Sequence, residues 1–182
     1  RELMVKLAAG DPDNAATRRG LSFSHYRVAT AFLLAGDPVE AQKDYQTCLE
    51  LRNDIAALDP RNAHKQIDLM IALARCGEHA EAAQVASKLG SRASDDPSVL
   101  FQIACGYALC VPAVASGKAK TDLSLEDRAT QQRYAAAAIE AIRQAVAVGY
   151  KDFVALEHDP DLLPVRGQAE FQAIVAELRR RQ

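Results

Sequence analysis

The sequence predicts an all-α fold made of stacked helical hairpins, on three observations. Five of the seven prolines follow an aspartate (Asp11-Pro12, Asp37-Pro38, Asp59-Pro60, Asp96-Pro97 and Asp159-Pro160). An Asp side chain can accept a bond from the free N–H groups of a first helical turn. Pro at the first helical position gives up only an N–H that would be unpaired there. Hydrophobic residues make up 49% of the chain, many of them alanine, while aromatics are only 5%. That composition favours close helix-on-helix packing over a sheet sandwich. Finally, the chain repeats itself, with little β-branched alternation between helix starts.

The elements follow in order. Residues 1–9, with Leu3, Met4 and Leu7 at helical spacing, read as the end of a preceding repeat helix. A first hairpin occupies 14–58. Its first helix runs over about 22–35, and its second enters at Asp37, with Glu40 at capping-box spacing, and continues through Leu51, Ile55 and Leu58. A second hairpin spans 61–94 and a third 96–149, the third interrupted by a polar loop insertion at 112–124. Ser124 restarts the helix with Asp127 as its capping partner, and Gly149 stops it. Residues 150–182 form a turn segment around Asp159-Pro160. A capping helix follows, with Phe171, Ile174, Val175 and Leu178 on one face.

Two internal echoes set the register. Leu7-Ala8-Ala9-Gly10-Asp11-Pro12-Asp13-Asn14-Ala15 matches Ile55-Ala56-Ala57-Leu58-Asp59-Pro60-Arg61-Asn62-Ala63, 48 positions on. Ala35-Gly36-Asp37-Pro38-Val39-Glu40-Ala41 parallels Cys76-Gly77-Glu78-His79-Ala80-Glu81-Ala82, 41 positions on. In both copies of the second echo, Gly36 and Gly77, able to take positive φ, join two helices in a tight turn.

Bulky and small residues alternate at fixed places in these hairpins. The first has His25, Val28, Ala29 and Phe32, then Ala41, Tyr45 and Cys48. Leu69, Met70 and Leu73, then Ala82, Ala86 and Leu89, follow in the second. The third supplies Leu100, Ile103, Ala104 and Tyr107, then Ala138, Ile142 and Ala145. This pattern resembles the tetratricopeptide repeat, which implies a right-handed α-solenoid of about three hairpins closed by a C-terminal capping helix. Here the repeat spacing is 41 to 48 rather than about 34, and the chain has no tryptophan. The stretch from Gly149-Tyr150-Lys151-Asp152 to Phe171-Gln172 is similar to the C-terminal end of such arrays in large bacterial serine/threonine protein kinases. So is the Asp-Pro-x-Asn-Ala linker at 11–15 and 59–63. A bacterial parent of that kind is what the resemblance implies. The chain itself carries no glycine-rich phosphate loop, no His-Arg-Asp and no Asp-Phe-Gly.

A net charge of −2 and a pI near 6.1 give no reason to expect nucleic acid or acidic lipid as partner. Arg179, Arg180 and Arg181 read as complements to a helix dipole. No apolar run reaches about 18 residues, so no membrane insertion is expected. Cys48, Cys76, Cys105 and Cys110 lie in apolar helical stretches. They read as buried reduced thiols of a cytoplasmic protein, with disulfides the alternative. Opening on Arg1 inside a helical pattern, the chain reads as a piece of a longer protein.

The four histidines do not assemble a catalytic set. His79-Ala80-Glu81 has the His-x-Glu form of a zinc deaminase, but Cys105 and Cys110 are five apart, about 140° around one helix, and cannot close the site. His79 is expected in the first turn of an exposed helix, His25 at a packing position, His64 at a helix start facing the groove, and His158 in a turn. Acid pairs such as Glu78/Glu81 and Asp159/Asp161 sit at helix entries, where dipoles favour carboxylates. No catalysis, metal or cofactor is expected.

Stacked hairpins of this kind expose a concave face lined by their first helices. The register puts Phe23, Tyr26, Thr30 and Leu33 there from the first unit. His64, Ile67, Ile71 and Arg75 come from the second, and Phe101, Cys105 and Leu109 from the third. So apolar a groove predicts a peptide or protein segment with hydrophobic anchors as partner. The alternative is a cover formed by the C-terminal segment folding back. The carboxylate clamp known in the family uses Lys, Asn and Arg at inward positions. Tyr26, Thr30 and His64 stand there instead, which leaves Arg27 and Arg75 as anchors for an acidic ligand. The rival function is a structural spacer or a self-association surface giving a homodimer.

Overall fold

A computed structural model describes residues 10, 14–92 and 95–180, and among them there are helices and no strands. Eight α-helices follow one another: α1 (Ala15–Leu34), α2 (Pro38–Leu58), α3 (Ala63–Arg75), α4 (His79–Gly90), α5 (Pro97–Ala113), α6 (Leu125–Ala147), α7 (Phe153–His158) and α8 (Ala169–Arg180). Short 3-10 turns at Lys120–Asp122 and Pro160–Leu162 lie in the connections. The helix expected at 1–9 falls outside the described residues, as does the linker copy at 11–13.

The helix entries show which half of the linker acts as the cap. Asp37 and Asp96 cap α2 and α5 as expected, each followed by Pro in the first turn. The Asp59-Pro60 pair does not start α3. Asp59 instead closes α2 and pairs with Lys65 Nζ at 3.1 Å, while Asn62 caps α3 by accepting from Lys65 N at 3.2 Å. Asn14, its counterpart 48 positions earlier, accepts from Thr17 N at 3.0 Å. That cap starts α1 at Ala15 rather than near 22. Asn62→Ala is therefore expected to lose about 1 kcal/mol in urea denaturation. An unchanged midpoint would return the capping role to Asp59.

Three helix ends use the same closing motif. Asp37 N donates to Phe32 O at 2.9 Å and Gly36 N to Leu33 O at 3.2 Å. Glu78 and Gly77 repeat this on Leu73 and Ala74, as do Tyr150 and Gly149 on Ala145 and Val146. This crossed pair of bonds needs a left-handed residue, supplied by Gly36 at φ +82° and Gly77 at φ +90°. The capping box at Ser124 and Asp127 is present with both bonds at 3.0 Å. The insertion begins later than expected, because α5 carries Pro112 in its last turn and ends at Ala113. Gln131 Nε2 donates to Val111 O at 3.0 Å, which satisfies a carbonyl at that helix end.

From α1 to α6 each helix packs on the next, and α3 also packs on α5. The bulky and small positions of the repeat face inward: Ala29, Ala41, Cys48, Met70, Ala82, Ala86, Ala104, Ala138 and Ile142 are all buried. Alanine at these sites lets the helices approach closely. Gly106 goes further, since a Cβ there would sit 2.4 Å from Met70 Sδ. The central helix α5 is buried over most of its circumference, with Gln102 and Tyr107 half-buried, and anchors a main core shared by α3 to α8. Ala29, Ala41 and Tyr45 form a small separate core inside the α1/α2 hairpin. The four cysteines are free thiols, three of them buried.

The C-terminal segment is part of the core. Leu156, Leu162, Val165 and Phe171 are fully buried, α8 packs on α6 and α7, and the turn at Pro160–Leu162 lies on α5.

Candidate functional site

The seam between the first hairpin and the rest is polar, and it brings together residues that look unrelated in sequence. Arg52 lies at 3% exposure on the buried face of α2, whose other residues, Asp44 apart, are Ala41, Tyr45, Cys48, Ile55 and Ala56. Its guanidinium sits 5.2 Å from the Phe23 ring centre and 5.1 Å from that of Tyr26, and it donates to Asp68 O at 2.8 Å. Arg19 lies 5.0 Å from the Phe23 ring and donates to the Asp68 carboxylate at 2.9 Å, tying α1 to α3. Cation–π contacts of this kind offset part of the desolvation of a buried guanidinium. At the other end of α3, Arg75 pairs with Asp161 at 2.5 Å and lies 5.9 Å from the Tyr45 ring. Burial, then the Asp161 charge, pushes the Tyr26 hydroxyl up to about 12, so it stays neutral.

The C-terminal segment covers much of the expected groove. Tyr150 stacks on Phe101 with ring centres 4.7 Å apart, and the Asp161 turn reaches Arg75. As a result Phe101, Cys105 and Leu109 are buried, and so is Ile67, which corrects their expected place on an open face. Ile71 is half-buried against the same core. Tyr26 meets Tyr45 edge-on at 5.7 Å, and the Thr30 hydroxyl lies 3.1 Å from that of Tyr45. Of the expected inward residues, Phe23 (39% exposed), Leu33 and His64 face solvent. Arg27 is exposed as well.

Two cavities remain along this face. The smaller, about 250 Å³, is lined by Leu33, Tyr45, Arg75 and Leu109. The larger, about 620 Å³, has Ile67 and Phe101 for a floor and Arg19, His64, Asp68, Gln102, Tyr150 and Asp152 around it, with Ser98 at its edge. Asp68 is occupied by Arg19, and Asp152 caps α7 by accepting from Ala155 N at 2.9 Å. Among the described residues the side chains of His64, Ser98 and Gln102 hold no hydrogen bond, so an imidazole, a hydroxyl and an amide stand ready over an apolar floor.

Arg19, Asp68, Gln102, Tyr150 and Asp152 escape the sequence reading because the walls come from four separate elements. Arg52 had a legible signal, a lone cation in an apolar stripe. Elsewhere, His25 Nδ1 lies 2.5 Å from Asp44 Oδ1, a buried link between α1 and α2. His79 opens α4 as expected but is not exposed. Its ring packs edge-on against Tyr134, with Nδ1 3.0 Å from the hydroxyl. Burial pushes the Cys48 thiol up to about 11, the Cys76 and Cys110 thiols up to about 12, and Cys105 well above its ordinary value. Thiols so protonated are poor nucleophiles.

No helix among the described residues is long and apolar enough to cross a membrane. Comparison with protein-family models and with curated proteins finds no match to this chain.

Proposed function

We propose that the chain is an interaction module, a right-handed stack of tetratricopeptide-like hairpins that binds a peptide or protein segment along its concave face. The observation that carries this reading is the cavity of about 620 Å³ where His64, Ser98 and Gln102 lack partners above Ile67 and Phe101. An extended peptide offers what such a surface lacks: backbone donors and acceptors for the rim, and apolar side chains for the floor. By the resemblance of its Gly149–Gln172 stretch, the module belongs to a larger bacterial serine/threonine kinase. It contributes binding rather than chemistry.

Tyr26 and Ile71 are unsuitable probes, since both pack against other side chains. His64 and Gln102 reach the cavity without holding the fold. A random peptide library displayed on phage, selected on the protein and counter-selected on the His64→Ala/Gln102→Ala variant, tests the reading. A shared apolar motif enriched only on the parent protein is the expected result. An absence of enrichment together with a concentration-dependent dimer in light scattering would favour self-association, for which the exposed Leu34 (85%) and Val39 on the first hairpin are available.

A further inference from the structure

We propose a second binding site, for an acidic peptide segment with an aliphatic anchor, in the cavity between the α2–α3 connection and the end of α4. This cavity, about 380 Å³, is lined by Pro60, Ala63, Val85 and Leu89 and ringed by Arg61, Lys88 and Arg92. Leu89 is buried and Val85 half-buried, so the floor is apolar, while the three cations are exposed. No carboxylate lines the cavity. Among the described residues none of the three cationic side chains makes an ion pair or a hydrogen bond.

That concentration of charge runs against the chain as a whole, whose net charge is −2. About half of the other cations among the described residues pair with a carboxylate, as with Arg18 and Asp54, Arg19 and Asp68, Lys65 and Asp59, or Lys118 and Asp127. Lys88 lies in the last turn of α4, where a cation complements the helix dipole. Arg61 belongs to a different connection and Arg92 lies beyond the helix end, so the dipole explains neither. The space holds roughly a dozen waters' volume, enough for two or three side chains. Carboxylates can meet the guanidinium groups in forked pairs, and an aliphatic side chain can cover Val85 and Leu89. The site is separate from the concave cavity and shares no lining residue with it.

The test is fluorescence anisotropy with a labelled peptide of glutamates and two leucines, titrated with the full chain at low and at physiological salt. Saturable binding is expected, weakening as salt rises. Arg61→Gln/Lys88→Gln/Arg92→Gln should weaken it about tenfold or more, and so should a peptide with Gln in place of Glu. His64→Ala/Gln102→Ala should leave it unchanged. Arg92→Gln alone, outside any helix, repeats the test with least effect on folding. No saturation by about 1 mM protein overturns the proposal. Equal binding by the triple variant overturns it too, as does loss only in the His64/Gln102 variant, which would seat the peptide on the concave face. Displacement by inorganic phosphate at the peptide's own concentration would make this a simple anion pocket and reject the peptide assignment.

Discussion

Phe171→Ala is expected to destabilise the protein by about 4 kcal/mol, the largest loss for any single side chain here. Phe171 is among the largest fully buried side chains in the structure, and it opens the helix that packs on α6 and α7. Leu156, Leu162 and Val165 share its core and are themselves fully buried, Leu156 in the short helix α7 and the other two in the turn segment that follows, so they cannot collapse far into the void. Against a typical total of about 5–15 kcal/mol the loss is large, and the thermal midpoint should fall by roughly 10 °C. Leu163→Ala, next to Leu162 in the chain yet 66% exposed, should shift stability by less than about 0.5 kcal/mol. If the two variants unfold together, α8 is not docked as the structure has it. The experiment also bears on the groove, since a segment that carries this much core is a fixed wall rather than a removable cover.

The helical class was legible because its signals are local. Caps at Asp37, Asp96 and Ser124, glycine turns at Gly36 and Gly77, and alanines at fixed intervals all act within a few residues. Where the reading erred locally, two local signals competed. Asp59-Pro60 resembles a helix start, but Asn62 lies nearer the apolar stripe of α3 and takes the cap. The site was less legible, for a different reason. Which face of α5 stays open depends on where Tyr150 and Asp161 settle, 49 and 86 positions from Phe101 and Arg75. Helical periodicity sorts residues into faces but cannot say which face a later segment will cover. The same periodicity places Phe101 and Cys105 on the correct helix but on an open surface, which the C-terminal segment closes.

Asp161→Ala should lose about 3 kcal/mol, because it strands Arg75 among Tyr26, Tyr45 and the core. Protonating Asp161 differs from removing it, because a neutral carboxyl still accepts a bond from Arg75 and an alanine side chain cannot. Burial pushes the Asp161 carboxyl above its ordinary value, and the Arg75 charge restores only part of the shift. A carboxyl with a raised folded pKa binds its proton more tightly when folded. Its unfavourable contribution is complete above that folded pKa and gone below the unfolded value of about 4. Falling pH therefore favours folding at this residue. Asp127 does the opposite: Lys118 holds its carboxyl down to about 2, and its stabilising contribution is lost as pH falls through that value. Urea denaturation at pH 7 and at about pH 4 should show the parent protein gaining relative to Asp161→Asn on acidification. A loss instead would mean that the pull of Arg75 outweighs burial. Arg75→Met/Asp161→Leu should recover most of what Asp161→Ala loses, since the expense lies in the unpaired cation more than in the missing bond. A double variant as unstable as the single one would place the effect in the turn at Pro160–Leu162 rather than in the ion pair.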